Sequence, residues 1–264
     1  MKSLLSSTFF LNIRNNLNFR ISGYYSNIKN IVSVSDFFYW DTRADFDTKL
    51  NITNIASQVL PEINQNCDVI LIFYFSNGKE ALIKHYTLKQ FESVHINVSS
   101  LIKENYGSLA IFHQFESKNE LINLGSYVTE KGYVGYKFKN NLWSYVHGNN
   151  SALALTINQE VKPLLSKTIL SKNTYFPQVS FLDVERSSII FNNPTDSKLK
   201  TIFFLLDKNL KIIKKINIST DPFGTQIINL FNENFAFIKI KSNIVLFRPI
   251  IKKYYKNYFD IFHG

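Results

Sequence analysis

Cysteine is almost missing from this chain: Cys67 is the only one in 264 residues. An intrachain disulfide is therefore excluded, and nothing in the thiol usage points to an oxidising compartment. Long apolar runs are missing too. The longest, residues 69–75 (VILIFYF), is far short of the roughly 20 residues a membrane-spanning helix needs. Arginine is scarce, with Arg14, Arg20, Arg43, Arg186 and Arg248 the only five among 30 basic residues. A net charge of +10 built on lysine supplies few of the guanidinium forks that read base edges, so no specific nucleic-acid partner is expected. Glycine and proline are few while Lys, Asn and Ile abound, the composition an AT-rich genome imposes on any protein.

Catalytic signatures are absent as well. The chain has no GxSxG elbow, phosphate loop, GxGxxG, HExxH or Cys/His metal spacing. No cofactor and no metal is expected. The N-terminus (MKSLLSSTFFLNI) has one basic residue and a short apolar stretch, but it lacks a small-residue cleavage site and Arg14 follows at once. The sequence-based expectation is a cytoplasmic protein without a membrane span. Four Asn-x-Ser/Thr triplets, at Asn51, Asn97, Asn149 and Asn217, carry no weight without secretion.

What the chain does contain is a repeat. Residues 253–264 (KYYKNYFDIFHG) lie over residues 137–148 (KFKNNLWSYVHG) without a gap. Upstream, 71–87 runs parallel to 202–218, 91–98 (FESVHINV) to 223–230 (FGTQIINL), 107–112 to 236–240, and 49–54 (KLNITN) to 188–193 (SIIFNN). Preserved order with drifting loop lengths is the mark of a duplication. The segments are five to eight residues long, β-branched or aromatic, and separated by polar turns. Residues 235–241 (FAFIKIK) alternate as a half-buried strand does. Short helices are expected only at 100–106 and 163–170. These features predict an all-β protein of two tandem antiparallel β-sandwich modules, immunoglobulin-like or jelly-roll-like, with one larger jelly roll as the alternative. The predicted modules are 1–148, with an N-terminal lead, and 176–264, joined by a packed connector over 149–175. The lysines of the second module are expected on solvated faces and protected edges.

Two places carry candidate chemistry. Residues 40–47 (WDTRADFD) combine Trp40, Asp41, Arg43 and Asp45. A calcium loop would add a glycine and a terminal glutamate, which are missing. The paired ends His147-Gly148 and His263-Gly264 place a histidine at a strand terminus, with Trp143, Tyr145 and Asn149 beside the first. His113 is a further candidate. The favoured expectation is a noncatalytic binding or accessory protein for a carbohydrate or protein partner, contacted by Trp40, Trp143, Tyr145, Asn149 and Asp45. The alternative is an enzyme acting on a carbohydrate or small metabolite, with His147 as base, Asp41 as orienter and Arg43 as anion clamp. Nonspecific nucleic-acid binding through the basic second module is a third.

Overall fold

The computed structural model describes residues 30–59, 65–115, 132–165, 172–177, 179–182, 184–231, 235–244, 248–256 and 258–264. The leader-like start of the chain, most of the helix expected at 163–170, and Asp183 lie outside them. The chain is nearly all β, with 62% strand against 4% helix, so strand pairing decides the architecture. The first half forms β1 (Ile31–Asp41), β2 (Phe46–Thr53), β3 (Cys67–Phe75), β4 (Glu80–Leu88), β5 (Ser93–Asn97), β6 (Tyr106–Phe115), β7 (Tyr133–Phe138), β8 (Ser144–Val146), β9 (Asn149–Thr156) and β10 (Val161–Pro163). The second half forms β11 (Asn173–Tyr175), β12 (Arg186–Asn192), β13 (Leu199–Leu206), β14 (Ile212–Thr220), β15 (Thr225–Phe231), β16 (Phe237–Ser242), β17 (Ile250–Tyr254) and β18 (Phe259–His263). A five-residue helix, α1 (Ile55–Val59), follows β2. Where a helix was expected at 100–106 there is one 3-10 turn, Val98–Ser100, before the chain enters β6.

The strands pair into four antiparallel sheets: sheet I in the order β10-β9-β1-β6-β3-β4, sheet II β5-β2-β7-β8, sheet III β11-β16-β13-β14 and sheet IV β15-β12-β17-β18. The order β1-β6-β3-β4 in sheet I is that of β11-β16-β13-β14, and sheets II and IV match strand for strand in the same way. The turns repeat as well. Gly78 N donates to Phe75 O at the β3–β4 turn and Leu210 N to Asp207 O at the β13–β14 turn, both with positive φ. Buried Asn54 follows β2 and donates Nδ2 to the carbonyls of Gln65, Leu88 and Lys89. Buried Asn193 follows β12 and donates to those of Ser197, Thr220 and Asp221. In both halves one buried amide ties the strand end to the end of the neighbouring hairpin by bonding three of its carbonyls.

The expectation of two self-contained sandwiches is corrected by the core. The four sheets stand in a four-blade, propeller-like arrangement, although the chain crosses between sheets instead of completing each blade in turn. One apolar interior unites Leu50, Leu71, Phe73 and Ile111 of the first half with Ile190, Ile250 and Ile261 of the second. The other unites Phe37, Ile72 and Phe112 with Ile189, Phe191, Phe203 and Ile251. Alternate residues of β3 and of β12 enter different interiors, so sheets I and IV are buried on both faces while sheet II closes one interior and sheet III the other. The segment expected as a packed connector supplies β9 and β10, which extend sheet I beside β1. No described helix is long and apolar enough to cross a membrane.

Candidate functional site

The outer face of sheet II is built by ladder register. Lys49 of β2 stands opposite Asn97 of β5 and Gly135 of β7, and Gly135 opposite Tyr145 of β8. One row on, Asn51 stands opposite His95 and Tyr133. These positions share a face because residues two apart along a strand point the same way. Asn51 Oδ1 lies 2.7 Å from His95 Nδ1. The Tyr133 ring is 5.4 Å from that of His147, and Lys49 Nζ sits 6.0 Å from the Trp143 ring. The Tyr145 ring lies over Gly135, where a Cβ would meet it at 2.7 Å. Tyr133 and Tyr145 keep 49% and 44% of their surface exposed, enough to offer a flat ring to a ligand. Trp143, Tyr145 and His147 from the sequence-based set are thus brought onto one surface.

The other candidates go inside. Trp40 is fully buried, and its Nε1 donates to the carbonyls of Ser108 at 2.9 Å and Tyr74 at 3.2 Å. No face of it is left for a ligand. Asn149 is buried opposite Phe37 in the β1–β9 ladder, and its Oδ1 has no hydrogen-bond partner among the described residues. Asp45 is exposed, 3.8 Å from Lys139. His113 is buried, its Nδ1 3.3 Å from Cys67 Sγ. His263 is half-buried at the edge strand β18, which lies against β8. Burial, with Arg248 acting in the same direction, pushes its imidazole down to about 4 and leaves it neutral at physiological pH.

Asp41 ends β1 at zero exposure and is held from four directions. Arg43 donates Nε to Oδ1 and Nη2 to Oδ2, each at 2.9 Å; Tyr39 OH donates to Oδ2 at 2.5 Å and Lys252 Nζ at 3.1 Å. The Arg43 backbone N–H adds a fifth bond at 3.1 Å. Burial alone would raise this carboxyl, but Lys252, Arg43 and Tyr39 outweigh it and hold it below the usual carboxylate range. Burial pushes Lys252 down to about 8 against the opposing pull of Asp41. Both remain charged at neutral pH. The Lys252 ammonium also lies 3.6 Å from the Phe46 ring centre, and the Arg43 guanidinium 3.8 Å from that of Tyr106. Among the described residues, the hydrogen bonds, ion pairs and ring contacts of this cluster do not include His147. With every lone pair of Asp41 engaged, the cluster is built as a closed ion pair between the halves.

No protein-family model matches the chain, and no curated protein matches it. Among solved structures it is similar to a β-glucuronidase of Bacteroides uniformis, with 10% identity and a TM-score of 0.18 over 86% of this chain and 25% of that one. It is also similar to a β-glucuronidase from glycoside hydrolase family 2, with 8% identity and a TM-score of 0.15 over 93% of this chain and 26% of that one. The chain spans about a quarter of the length of either, and at these scores neither likeness informs fold or function.

Sequence reasoning missed Lys252, Lys253 and Arg186. Lysines of the second half were expected on solvated faces, and Lys214 and Lys215 of the edge strand β14 do lie there. Lys252 and Lys253 are buried instead, because β17 is a central strand covered on both faces. Two adjacent lysines after Ile250 and Ile251 must point to opposite faces of a strand, so one of them has to face an interior, and that was the available signal.

Proposed function

We propose that this protein is a noncatalytic binding or accessory protein that recognises a carbohydrate through the outer face of sheet II. The supporting observation is the exposed rings of Tyr133 and Tyr145, with half-buried Trp143 near Lys49, beside the hydrogen-bonding groups of Asn97 in one ladder row and Asn51 and His95 in the next. Sugar rings present apolar C–H faces ringed by hydroxyls, and flat rings next to amides meet both demands. We read the repeated strand order as an internal duplication in which the two copies have taken different tasks. The carbohydrate reading is tested by titrating wild type, Trp143→Ala and Tyr145→Ala against an array of neutral and acidic oligosaccharides while recording Tm. Wild type is expected to bind at least one class, and each variant to lose about tenfold or more in affinity with little change in Tm. Absence of binding across the array, or variants that bind as well as wild type, refutes the reading.

A further inference from the structure

A second concavity, unrelated to the outer face of sheet II, lies where sheet IV meets the end of sheet II and holds about 290 Å3. One wall is two ladder rows of sheet IV. Arg186 stands between Phe231 and Tyr254, and two residues along the strand Ser188 stands between Asn229 and Lys252. The facing wall is Phe46 and Phe138, whose rings pack at 4.9 Å from each other and against Tyr254 at 6.3 and 5.2 Å. Arg43 and Asp45 complete the rim.

The charges here do not cancel. Asp41, behind the wall, answers for both Arg43 and Lys252, and Asp45 faces Lys139. Arg186 has no carboxylate and no side-chain hydrogen bond among the described residues. Its guanidinium carbon lies over the Tyr254 ring, 4.0 Å from the ring centre, and 5.3 Å from that of Phe138. A ring contact engages none of the five N–H donors of a guanidinium, so they remain available to an anion in the cleft. Beside it Phe231 is 57% exposed, an apolar ring with nothing yet covering it. Ser188 Oγ donates to Asn229 Oδ1 at 2.8 Å, which leaves the exposed Asn229 amide N–H groups as further donors at the side of the cleft. Cation, free donors and apolar rings around a small volume describe a complement for an anion attached to a flat apolar body.

We infer that this cleft binds a small organic monoanion, its carboxylate held by Arg186 and Asn229 and its apolar ring lodged against Phe231, Phe138 and Phe46. The size admits a single ring with its acid group. A bare inorganic anion would leave the aromatic walls unused.

Benzoate, benzyl alcohol and inorganic sulfate, titrated by calorimetry against the full chain, test this directly. Benzoate is expected to bind about tenfold or more tighter than either benzyl alcohol, which lacks the charge, or sulfate, which lacks the ring. Arg186→Gln should abolish the preference over benzyl alcohol. Arg186→Lys should retain part of it, because charge remains while the planar fork is lost. Phe231→Asp places a carboxylate beside Arg186 on an exposed strand position, and it should eliminate benzoate binding even if Arg186→Gln does not fold. Equal affinity for benzoate and benzyl alcohol, sulfate binding as tight as benzoate, or benzoate binding unchanged in Phe231→Asp overturns the inference. Glycan recognition by sheet II is read by different variants and stands or falls separately.

Discussion

Sheets II and IV have the same strand order and ladder register yet use the equivalent face in opposite ways. In sheet II, Lys49 pairs with Gly135 and Asn51 with Tyr133, and the face is open to solvent. In sheet IV, Ser188 pairs with Lys252 and Ile190 with Ile250 at the corresponding positions, and the face is pressed onto the first half. Where Gly135 lets the Tyr145 ring lie down, Lys252 instead reaches across to Asp41. Backbone pairing survives this change because it depends on main-chain groups. The side chains answer only to what covers the face, so strand order outlives sequence identity.

The sharpest way to break the comparison is to remove the ion pair that only sheet IV makes. Asp41→Ala strands a buried ammonium and a guanidinium, and an unfolding cost of roughly 3–5 kcal/mol is expected in urea melts. Tyr145→Ala, which removes the ring lying over Gly135 in sheet II, is expected to cost at most about 1 kcal/mol, since that ring is already 44% exposed. The same pair predicts acid sensitivity. A carboxyl held below its unfolded value of about 3.9 contributes stability that is present above that pH and lost as pH falls through the folded pKa. Asp41→Asn should flatten this limb of the stability profile.

The hairpin turns come next. Gly78 has φ of 80°, and a Cβ there would lie 1.8 Å from the Pro222 carbonyl oxygen of the second half. Gly78→Ala is expected to cost roughly 2–4 kcal/mol. Leu210, its counterpart, has φ of 62° and is 59% exposed, so Leu210→Gly relieves strain and should gain up to about 1 kcal/mol. Thermal melts of the two variants should move in opposite directions. The smallest expected difference is at the repeated amides. Asn54→Ala and Asn193→Ala each remove three amide hydrogen bonds to carbonyls, and their costs, roughly 2–3 kcal/mol apiece, should agree within about 0.5 kcal/mol. A larger gap would mean that the two corners are not equivalent.

Much of the repeat could be read from the sequence, because blocks of strand and turn keep their order, and the residues just before His147 and His263 occupy matching ladder positions: Val146 faces Val134 as Phe262 faces Ile251. Register was harder to read. The ungapped match set Leu71 beside Ile202, whereas the repeated turn bonds at Phe75 and Asp207 set Leu71 beside Phe203. Runs of interchangeable apolar residues slide freely against each other, and only a turn fixes them. The split into two cores was misjudged for a related reason: periodicity reports that β3 and β12 have apolar residues on both faces but not which sheets cover them. Trp40 illustrates the limit at the site. Its neighbours Asp41, Arg43 and Asp45 mark a polar loop, while the indole N–H bonds to Tyr74 and Ser108, far away in sequence, fix it as core.

The interleaved interiors also govern how the molecule is made. A ribosome releases β1 to β10 first, and their inner surface against Ile190, Ile250 and Ile261 stays wet until β17 and β18 emerge. At about 5–20 residues per second, that interval is on the order of ten seconds. Throughout it the nascent first half displays an apolar face beside Asp41, which has Arg43 and Tyr39 but not Lys252, since that lysine has yet to be translated. Nascent-chain holdase demand should therefore peak before residue 250 is synthesised and collapse once the final hairpin closes.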